Sequence, residues 1–313
     1  MTKNLIIFLI SISIIYISPL KHVHAENMGA NSLFIGHSFF VPVAKAFEKM
    51  ALENGFSEHK SQFVFASGPK GLPGALWDNE NKKSKINSIL AAGDIELFGM
   101  TSANGRRGDA LEIYQRWIDL ALSHNPDTKF FIGHSWIPGG PKADAEKFDQ
   151  KIEKTGQDAY ATIEKLRARY PNLTIYFVNY GKAASIMRTM FDAGELDDIA
   201  KLAASEGRRR LNGGSSGERS RGILSRITDR RNNTQSGETQ QSASSAADHN
   251  KFQDALFIDA MMGHAGPMMT QMMSLVWLHF LYGADIEKLN YNGWNDEDVE
   301  YITTETIKHN EAL

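Results

Sequence analysis

Short apolar segments alternate with amphipathic segments along most of the chain. Brief apolar runs rich in Ile, Val and Phe are typical of buried strands, whereas apolar residues at helical spacing predict helices. The predicted strands cover residues 32–36, 61–66, 95–98, 129–132, 173–178 and 255–258. The predicted helices cover residues 41–53, 82–92, 109–123, 145–170, 182–193 and 266–282. This alternation predicts an α/β fold, a three-layer α/β/α sandwich around a mostly parallel sheet of five or six strands.

A parallel sheet that is covered on both faces binds ligands where the carboxyl ends of its strands meet. The residues that follow each predicted strand are therefore the first candidates for function. These are His37 and Ser38, residues 67–74, residues 101–108, His134 and Ser135, Asn179, and residues 259–264. We expect a site to form among these segments, however far apart they are in the chain.

The first 25 residues have the features of a secretory signal peptide. Lys3 precedes an apolar run over residues 5–20, and Val23-His24-Ala25 resembles a small-residue cleavage site. An uncleaved membrane anchor is the alternative, although the run is short for a full span. The chain has no cysteine, and export without disulfides fits a bacterial periplasmic or secreted protein. Residues 26–313 are then expected to form one domain that leaves the membrane after cleavage.

Residues 207–248 do not follow the alternation of strands and helices. They contain three consecutive arginines and a stretch of Ser, Thr, Gln and Asn with few large apolar residues. This composition predicts a poorly ordered surface insertion. Its arginines could bind an anionic polymer, but solvated charge is the simpler explanation. The formal net charge of −3 argues against nucleic acid as the main partner.

Ser38 lies two residues beyond the first predicted strand and just before a predicted helix. A helix N-terminus carries partial positive charge and unpaired N–H groups. A serine there can present its hydroxyl to an ester carbonyl while its own N–H holds the oxyanion. Serine at a helix start is also an ordinary N-cap, which the local sequence alone favours.

A histidine near the other end of the chain makes Ser38 a stronger candidate. Asp259 directly follows the predicted strand at residues 255–258, and His264 lies between it and the last predicted helix. A serine nucleophile needs a base to accept its proton, and a carboxylate can orient and stabilise that base. The sequence therefore predicts that Ser38 and His264 pair at one edge of the sheet, with Asp259 as a third member. Helix capping or a structural hydrogen bond is the alternative role for His264.

These segments resemble the SGNH/GDSL hydrolases, whose architecture is flavodoxin-like. Residues 32–38 are similar to the first block of that superfamily, an apolar strand that ends in a short Gly-x-Ser turn. The resemblance implies that Ser38 is the nucleophile and that Asp259 and His264 form the last block. It also implies that Gly71, in a glycine-rich segment after the second strand, supplies an oxyanion N–H.

Two segments depart from the superfamily pattern. Four residues separate Asp259 from His264, a longer spacing than is usual there. The third block is Gly-x-Asn-Asp in the superfamily, whereas this chain has Gly-Met-Thr-Ser-Ala-Asn-Gly at residues 99–105. Asn104 is thus a displaced candidate for the oxyanion donor. Thr101 or Ser102 could take its place, or the donor could be absent. The Gly-x-Ser-x-Gly elbow of the α/β-hydrolases is absent.

The segment Phe-Ile-Gly-His-Ser occurs twice, at residues 34–38 and at residues 131–135. Ser135 leads into Pro-Gly-Gly-Pro, a loop without the field of a helix start, so Ser38 is the better nucleophile. His37 and His134 are candidates for lining the pocket, and His134 also for binding substrate. A purely structural role is the alternative for both.

No metal or cofactor is predicted. No histidine pair has the i,i+4 spacing with an acid that marks a helical zinc site, and no glycine-rich phosphate loop is present. A cluster of methionines on and before the last predicted helix fits core packing or a soft apolar pocket. Its members are Met261, Met262, Met268, Met269, Met272 and Met273.

The resemblance implies an exported serine esterase that works through an acyl-enzyme. The expected partner is a small-molecule or carbohydrate ester, with a short acyl group on a carbohydrate as the substrate that the superfamily suggests. The alternative is a binding protein of the same fold with a degraded active site, because the third block and the Asp–His spacing are unusual. In that case Trp77, Trp136 and Trp277 could form a sugar pocket.

Overall fold

The computed structural model describes residues 28–102, 110–204, 254–291 and 293–313. The predicted signal peptide, Asn104 and the predicted insertion at residues 207–248 lie outside these described residues. None of the described helices is long and apolar enough to cross a lipid bilayer.

The described part of the chain alternates strands and helices as the sequence predicts. Its strands are β1 (Asn31–Gly36), β2 (Lys60–Phe65), β3 (Leu97–Thr101), β4 (Lys129–His134), β5 (Ile175–Asn179), β6 (Lys201–Ala203) and β7 (Ala255–Phe257). Its helices are α1 (Val41–Glu53), α2 (Pro73–Asp78), α3 (Glu80–Leu90), α4 (Ala110–Leu122), α5 (Ala145–Arg169), α6 (Gly181–Ala193), α7 (Pro267–Tyr282) and α8 (Asp296–Glu311).

Five of these strands form one parallel sheet in the order β2-β1-β3-β4-β5. This is the strand order of flavodoxin-like folds, and the predicted three-layer α/β/α sandwich is confirmed. The predicted strand at residues 255–258 exists as β7, but it pairs with β6 in a separate two-stranded sheet. Within the described residues the main sheet therefore has five strands, in agreement with the predicted five or six.

Both faces of the sheet are buried because successive side chains of each strand point to opposite sides. In β1, Leu33 and Ile35 belong to the core cluster that includes α3 and α4. Phe34 between them belongs to the cluster that includes α1, α6 and α7. All three side chains are fully buried, which explains why the strands read as continuous apolar runs.

The sequence prediction misses α2 and α8. Residues 68–74, predicted as a loop, form a short 3-10 helix, Gly68–Gly71, and then begin α2. Pro69 and Pro73 each stand at a helix start, where the fixed φ of proline suits the first turn. α8 is largely polar, but Asn295 caps it by accepting from the N–H groups of Glu297 and Asp298.

The repeated Phe-Ile-Gly-His-Ser segments lie at the same level on either side of β3. Phe34 and Phe131 both pair with Gly99, and Ile35 and Ile132 both pair with Met100. A Cβ atom at Gly99 would lie 2.3 Å from Phe34 Cδ1 and 3.2 Å from Phe131 Cδ1. Glycine is therefore the residue that lets the two phenylalanine rings flank β3.

We expect Gly99→Ala to lower the free energy of unfolding by about 2 kcal/mol, because the added methyl group forces the Phe34 ring from its place. Urea denaturation followed by circular dichroism measures this change. Gly55→Ala is the control, because Gly55 has a φ of +87° and no atom within 4 Å of the added carbon. That variant should cost about 1 kcal/mol through backbone strain alone. A Gly99→Ala loss no larger than that of Gly55→Ala would contradict the crowding argument.

Candidate active site

Ser38 lies in the turn between β1 and α1, and its hydroxyl does not cap the helix. The N-cap position is Phe40, which has no side-chain capping bond. The N–H groups of Phe40 and Val41 both donate to the carbonyl oxygen of His37, each at 3.0 Å. The backbone thus closes the turn by itself, which leaves the partly exposed Ser38 hydroxyl for another partner.

That partner is His264. The distance from Ser38 Oγ to His264 Nε2 is 2.9 Å, and the distance from His264 Nδ1 to Asp259 Oδ2 is 2.6 Å. An ionised carboxylate only accepts hydrogen bonds, so the Nδ1–H of a neutral His264 donates to Asp259. Nε2 then carries a lone pair and accepts from the Ser38 hydroxyl. The structure therefore brings together the three residues that the sequence analysis selected.

The long spacing between Asp259 and His264 has a structural explanation. Asp259 Oδ1 accepts from the N–H groups of Met261 at 3.0 Å and of Met262 at 2.6 Å. The intervening residues thereby fold around the carboxylate and return His264 to it. Burial raises the pKa of the Asp259 carboxyl, but the hydrogen bonds from Met262 and His264 outweigh burial and hold that pKa below its usual value.

Two backbone N–H groups, those of Ser38 and Gly71, are predicted to hold an oxyanion. The N–H of Ser38 donates to no acceptor in the part of the chain that the structure describes. Gly71 lies against the end of β1, because a Cβ atom there would be 2.7 Å from the carbonyl oxygen of Gly36 and 2.4 Å from that of Ala66. Glycine is required for this approach, and the oxyanion role of Gly71 stays a prediction. Asn104, the third candidate, lies outside the described residues.

His37 supports the turn rather than presenting a free ring. Its Nδ1 accepts from the Phe39 N–H at 3.2 Å, and its Nε2 lies 3.2 Å from Thr101 Oγ1. Because Nδ1 accepts, the proton is on Nε2 and the ring is neutral. Burial, together with the nearby His264, lowers the pKa of His37 to about 4.

His134 is 2% exposed, and both of its ring nitrogens contact hydroxyl groups. Nδ1 lies 2.8 Å from Ser102 Oγ, and Nε2 lies 3.0 Å from Thr155 Oγ1. Burial lowers its pKa to about 4. These contacts leave neither nitrogen for the substrate-binding role that was predicted. They also occupy Ser102, so its hydroxyl is no ready substitute for the displaced asparagine. Thr101 accepts from His37 Nε2–H, and its side chain is fully buried.

The other predicted pocket groups divide between core and surface. Trp136 is 2% exposed and Trp277 fully buried, and Trp77 is half-buried with the Lys83 ammonium 4.4 Å from its ring centroid. They do not form a shared open sugar platform. The four methionines of α7 are fully buried, whereas Met261 is 55% exposed and Met262 41% exposed. Among the described residues, no group of three His, Cys, Asp or Glu could hold a metal ion.

Sequence reasoning missed Phe39 and Tyr180 beside the pair, and it considered Trp136 only for a sugar pocket. The Phe39 ring stacks on Trp136 at 4.6 Å between centroids and meets the His264 ring edge-on at 5.1 Å. The Tyr180 hydroxyl donates to the Phe39 carbonyl oxygen at 2.8 Å. The signal for two of them was present, because Phe39 and Trp136 each follow one copy of the repeated Gly-His-Ser.

No family model matches the chain, and no curated protein matches it. Among solved structures, the periplasmic domain of a Salmonella ser. Paratyphi A lipopolysaccharide acetyltransferase is similar, with a TM-score of 0.33 and 14% identity over 51% of this chain and 69% of that chain. A gut microbial diltiazem-metabolizing enzyme has a TM-score of 0.21 and 13% identity over 56% of this chain and 50% of that chain. Membership of the SGNH/GDSL superfamily stays a prediction, and function has to be inferred from the side chains of this chain.

We expect the free energy of unfolding to fall as the pH drops from about 6.5 to about 4. The pKa values of His37 and His134 are about 4 in the folded protein and 6.5 ordinarily. Below pH 6.5 the unfolded chain therefore binds protons that the folded protein does not. Protonation of each histidine in the unfolded chain can therefore lower the free energy of unfolding by up to about 3 kcal/mol in this window. Urea midpoints measured between pH 7 and pH 4 test this, and a constant stability across that window would refute it.

Proposed function

We propose that this protein is an exported serine hydrolase that cleaves carboxylic esters, with Ser38 as nucleophile and His264 as base. The observation that carries the proposal is the 2.9 Å contact between Ser38 Oγ and His264 Nε2, with Asp259 on the other ring nitrogen. A hydroxyl bonded to a base that a carboxylate orients is the arrangement that activates serine for acyl transfer.

The reaction would begin with attack of Ser38 Oγ on the ester carbonyl carbon while His264 Nε2 takes the hydroxyl proton. Asp259 would stabilise the imidazolium, and the N–H groups of Ser38 and Gly71 would hold the oxyanion. When the tetrahedral intermediate collapses, the ester C–O bond breaks and His264 gives its proton to the departing alcohol. Water, deprotonated by His264, would then attack the acyl-enzyme, release the acid and restore Ser38.

The surroundings of the pair support a substrate that reaches it from solvent. The side chain of His264 is 32% exposed and that of Asp259 24% exposed, so the base is accessible and not sealed in the core. The resemblance to SGNH/GDSL hydrolases suggests a short acyl group on a carbohydrate. The predicted signal peptide suggests that this ester lies outside the cytoplasm.

We expect Ser38→Ala to lower kcat for p-nitrophenyl acetate by about a thousandfold or more, because no hydroxyl remains to form the acyl-enzyme. Ser135→Ala is the matched control, since it removes the serine of the second Gly-His-Ser segment, whose hydroxyl donates to the Trp136 carbonyl oxygen. That variant should keep kcat within about threefold, the effect of one ordinary hydrogen bond. Equal rates for wild type and Ser38→Ala would exclude Ser38 as the nucleophile.

A fluorophosphonate probe separates the hydrolase from a binding protein with a degraded site. Such a probe modifies an activated serine without any need for the natural substrate. The wild-type protein and Ser135→Ala should be labelled at Ser38, and Ser38→Ala should not. A folded wild-type protein that takes up no label would favour the binding protein.

We expect Asp259→Asn to lower kcat by about a hundredfold or more with little change in KM. An amide NH₂ facing His264 Nδ1 would favour the tautomer that has its proton on Nε2, and this tautomer cannot accept from Ser38. The amide also lacks the charge that stabilises the imidazolium. Steady-state kinetics of p-nitrophenyl acetate hydrolysis measures the loss. An unchanged kcat would exclude Asp259 from catalysis and leave Ser38 and His264 as the catalytic residues.

A further inference from the structure

Trp136 makes a buried hydrogen bond to the loop that carries His264. Its indole Nε1–H donates to the carbonyl oxygen of Gly263 at 2.7 Å. That carbonyl belongs to the peptide bond between Gly263 and His264, so the hydrogen bond fixes the peptide plane directly before the base. The Trp136 side chain is 2% exposed, so water does not compete readily for this carbonyl.

The same indole also contacts the turn that carries Ser38. Its ring stacks on Phe39 with an angle of 19° between the planes, and Phe39 meets the His264 ring at 75°. Phe39 directly follows Ser38 in the chain. Trp136 thus touches the turn of the nucleophile with its ring face and the loop of the base with its N–H group.

We propose that Trp136 is a positioning residue for the pair of Ser38 and His264. It touches no reacting atom in this role. It holds the Gly263–His264 peptide and the Phe39 ring so that the imidazole turns Nε2 toward Ser38. The inference rests on the proposed function, since it assigns Trp136 a part in that same reaction.

A second hydrogen bond also holds the loop of His264, but it acts on a different peptide from the one that the Trp136 indole holds. The Gly139 N–H donates to the Met262 carbonyl oxygen at 2.9 Å, which ties the loop after β4 to the loop of the base one peptide earlier. The peptide between Gly263 and His264 is held on its two sides, because its N–H donates to Asp259 Oδ2 at 3.3 Å and its carbonyl oxygen accepts from Trp136. Gly263 has a φ of +75°, a conformation that glycine adopts readily, so the 2.7 Å bond from the indole adds a second restraint on the carbonyl side of this peptide.

The positioning role of Trp136 also gives the second Gly-His-Ser segment a structural role. Its level pairing with the first segment across β3 places Phe39 and Trp136, the residues after each serine, face to face. The first copy contributes the candidate nucleophile and the second contributes the residue that aligns its base. The Ser135 hydroxyl donates to the Trp136 carbonyl oxygen and also makes a hydrogen-bond contact with Tyr180.

The test compares Trp136→Phe with the wild-type protein in p-nitrophenyl acetate hydrolysis. Loss of one well-formed hydrogen bond should lower kcat by about tenfold, while KM stays within about twofold because no substrate contact is removed. A second variant replaces the Trp136 indole by a benzothiophene, which keeps the shape of the ring and lacks the N–H. It should show the same fall in kcat, which keeps the test decisive if Trp136→Phe fails to fold.

Trp277→Phe is the matched control. Trp277 is fully buried in the same core cluster, and its Nε1 has no hydrogen-bond partner within the described part of the chain. This variant loses the same side-chain volume without loosening the loop of the base. It should lower the unfolding midpoint and keep kcat within about twofold. Equal losses of kcat in Trp136→Phe and Trp277→Phe, or full activity of the benzothiophene variant, would overturn the proposal.

A measurement without turnover separates this inference from the proposed function. The proton on His264 Nδ1, shared with Asp259 at 2.6 Å, should give a resolved proton resonance that His264→Gln removes and so identifies. Its exchange with solvent should be at least about fivefold faster in Trp136→Phe than in the wild-type protein and in Trp277→Phe. If the wild-type protein hydrolyses no ester, the proposed function fails, and the exchange rate still decides whether Trp136 holds His264. An unchanged exchange rate would refute the positioning role.

Discussion

The level pairing of β1, β3 and β4 is the constraint from which the rest of the site follows. Gly99 in β3 has room for the rings of Phe34 and Phe131 on its two sides, and a larger residue would push the Phe34 ring from its place. Because the three strands end at the same height, the residues beyond them contact one another. His37 reaches Thr101 at the end of β3, and His134 reaches Ser102 directly beyond it. The turn of Ser38 is thereby attached to the centre of the sheet.

The candidate site adds one ionised group to this rigid edge. Asp259 stays charged because backbone N–H groups and His264 donate to it, which compensates for its partial burial. His37 and His134 stay neutral because burial lowers their pKa values to about 4. A positive charge that forms on His264 therefore meets the Asp259 carboxylate, and the nearby ring of His37 is uncharged. This electrostatic pattern is what a base needs if it is to accept a proton from a serine hydroxyl.

Much of the fold could be predicted because buried strands and amphipathic helices have short-range signatures. The bounds of α1 agree with the prediction at both ends, and the parallel sandwich follows from the alternation itself. The misses have physical reasons. α8 is mostly polar, so the hydrophobic pattern is weak and the capping residue is the main sign of this helix. α2 begins at a proline within a glycine-rich segment that has the composition of a loop. β7 is only three residues long, and its pairing with β6 depends on contacts that no local pattern reveals.

The sequence by itself determined which residues could react: a serine after the first strand, and an aspartate and a histidine after the last. Side-chain chemistry and the common edge of parallel strands are sufficient for that selection. Only the tertiary structure decided that the Ser38 hydroxyl contacts His264 instead of capping α1, and that Asp259 reaches His264 across a long spacing. It also decided that Trp136 lies against both loops. These outcomes depend on backbone hydrogen bonds and on packing between segments far apart in the chain, which residue identity and spacing do not encode.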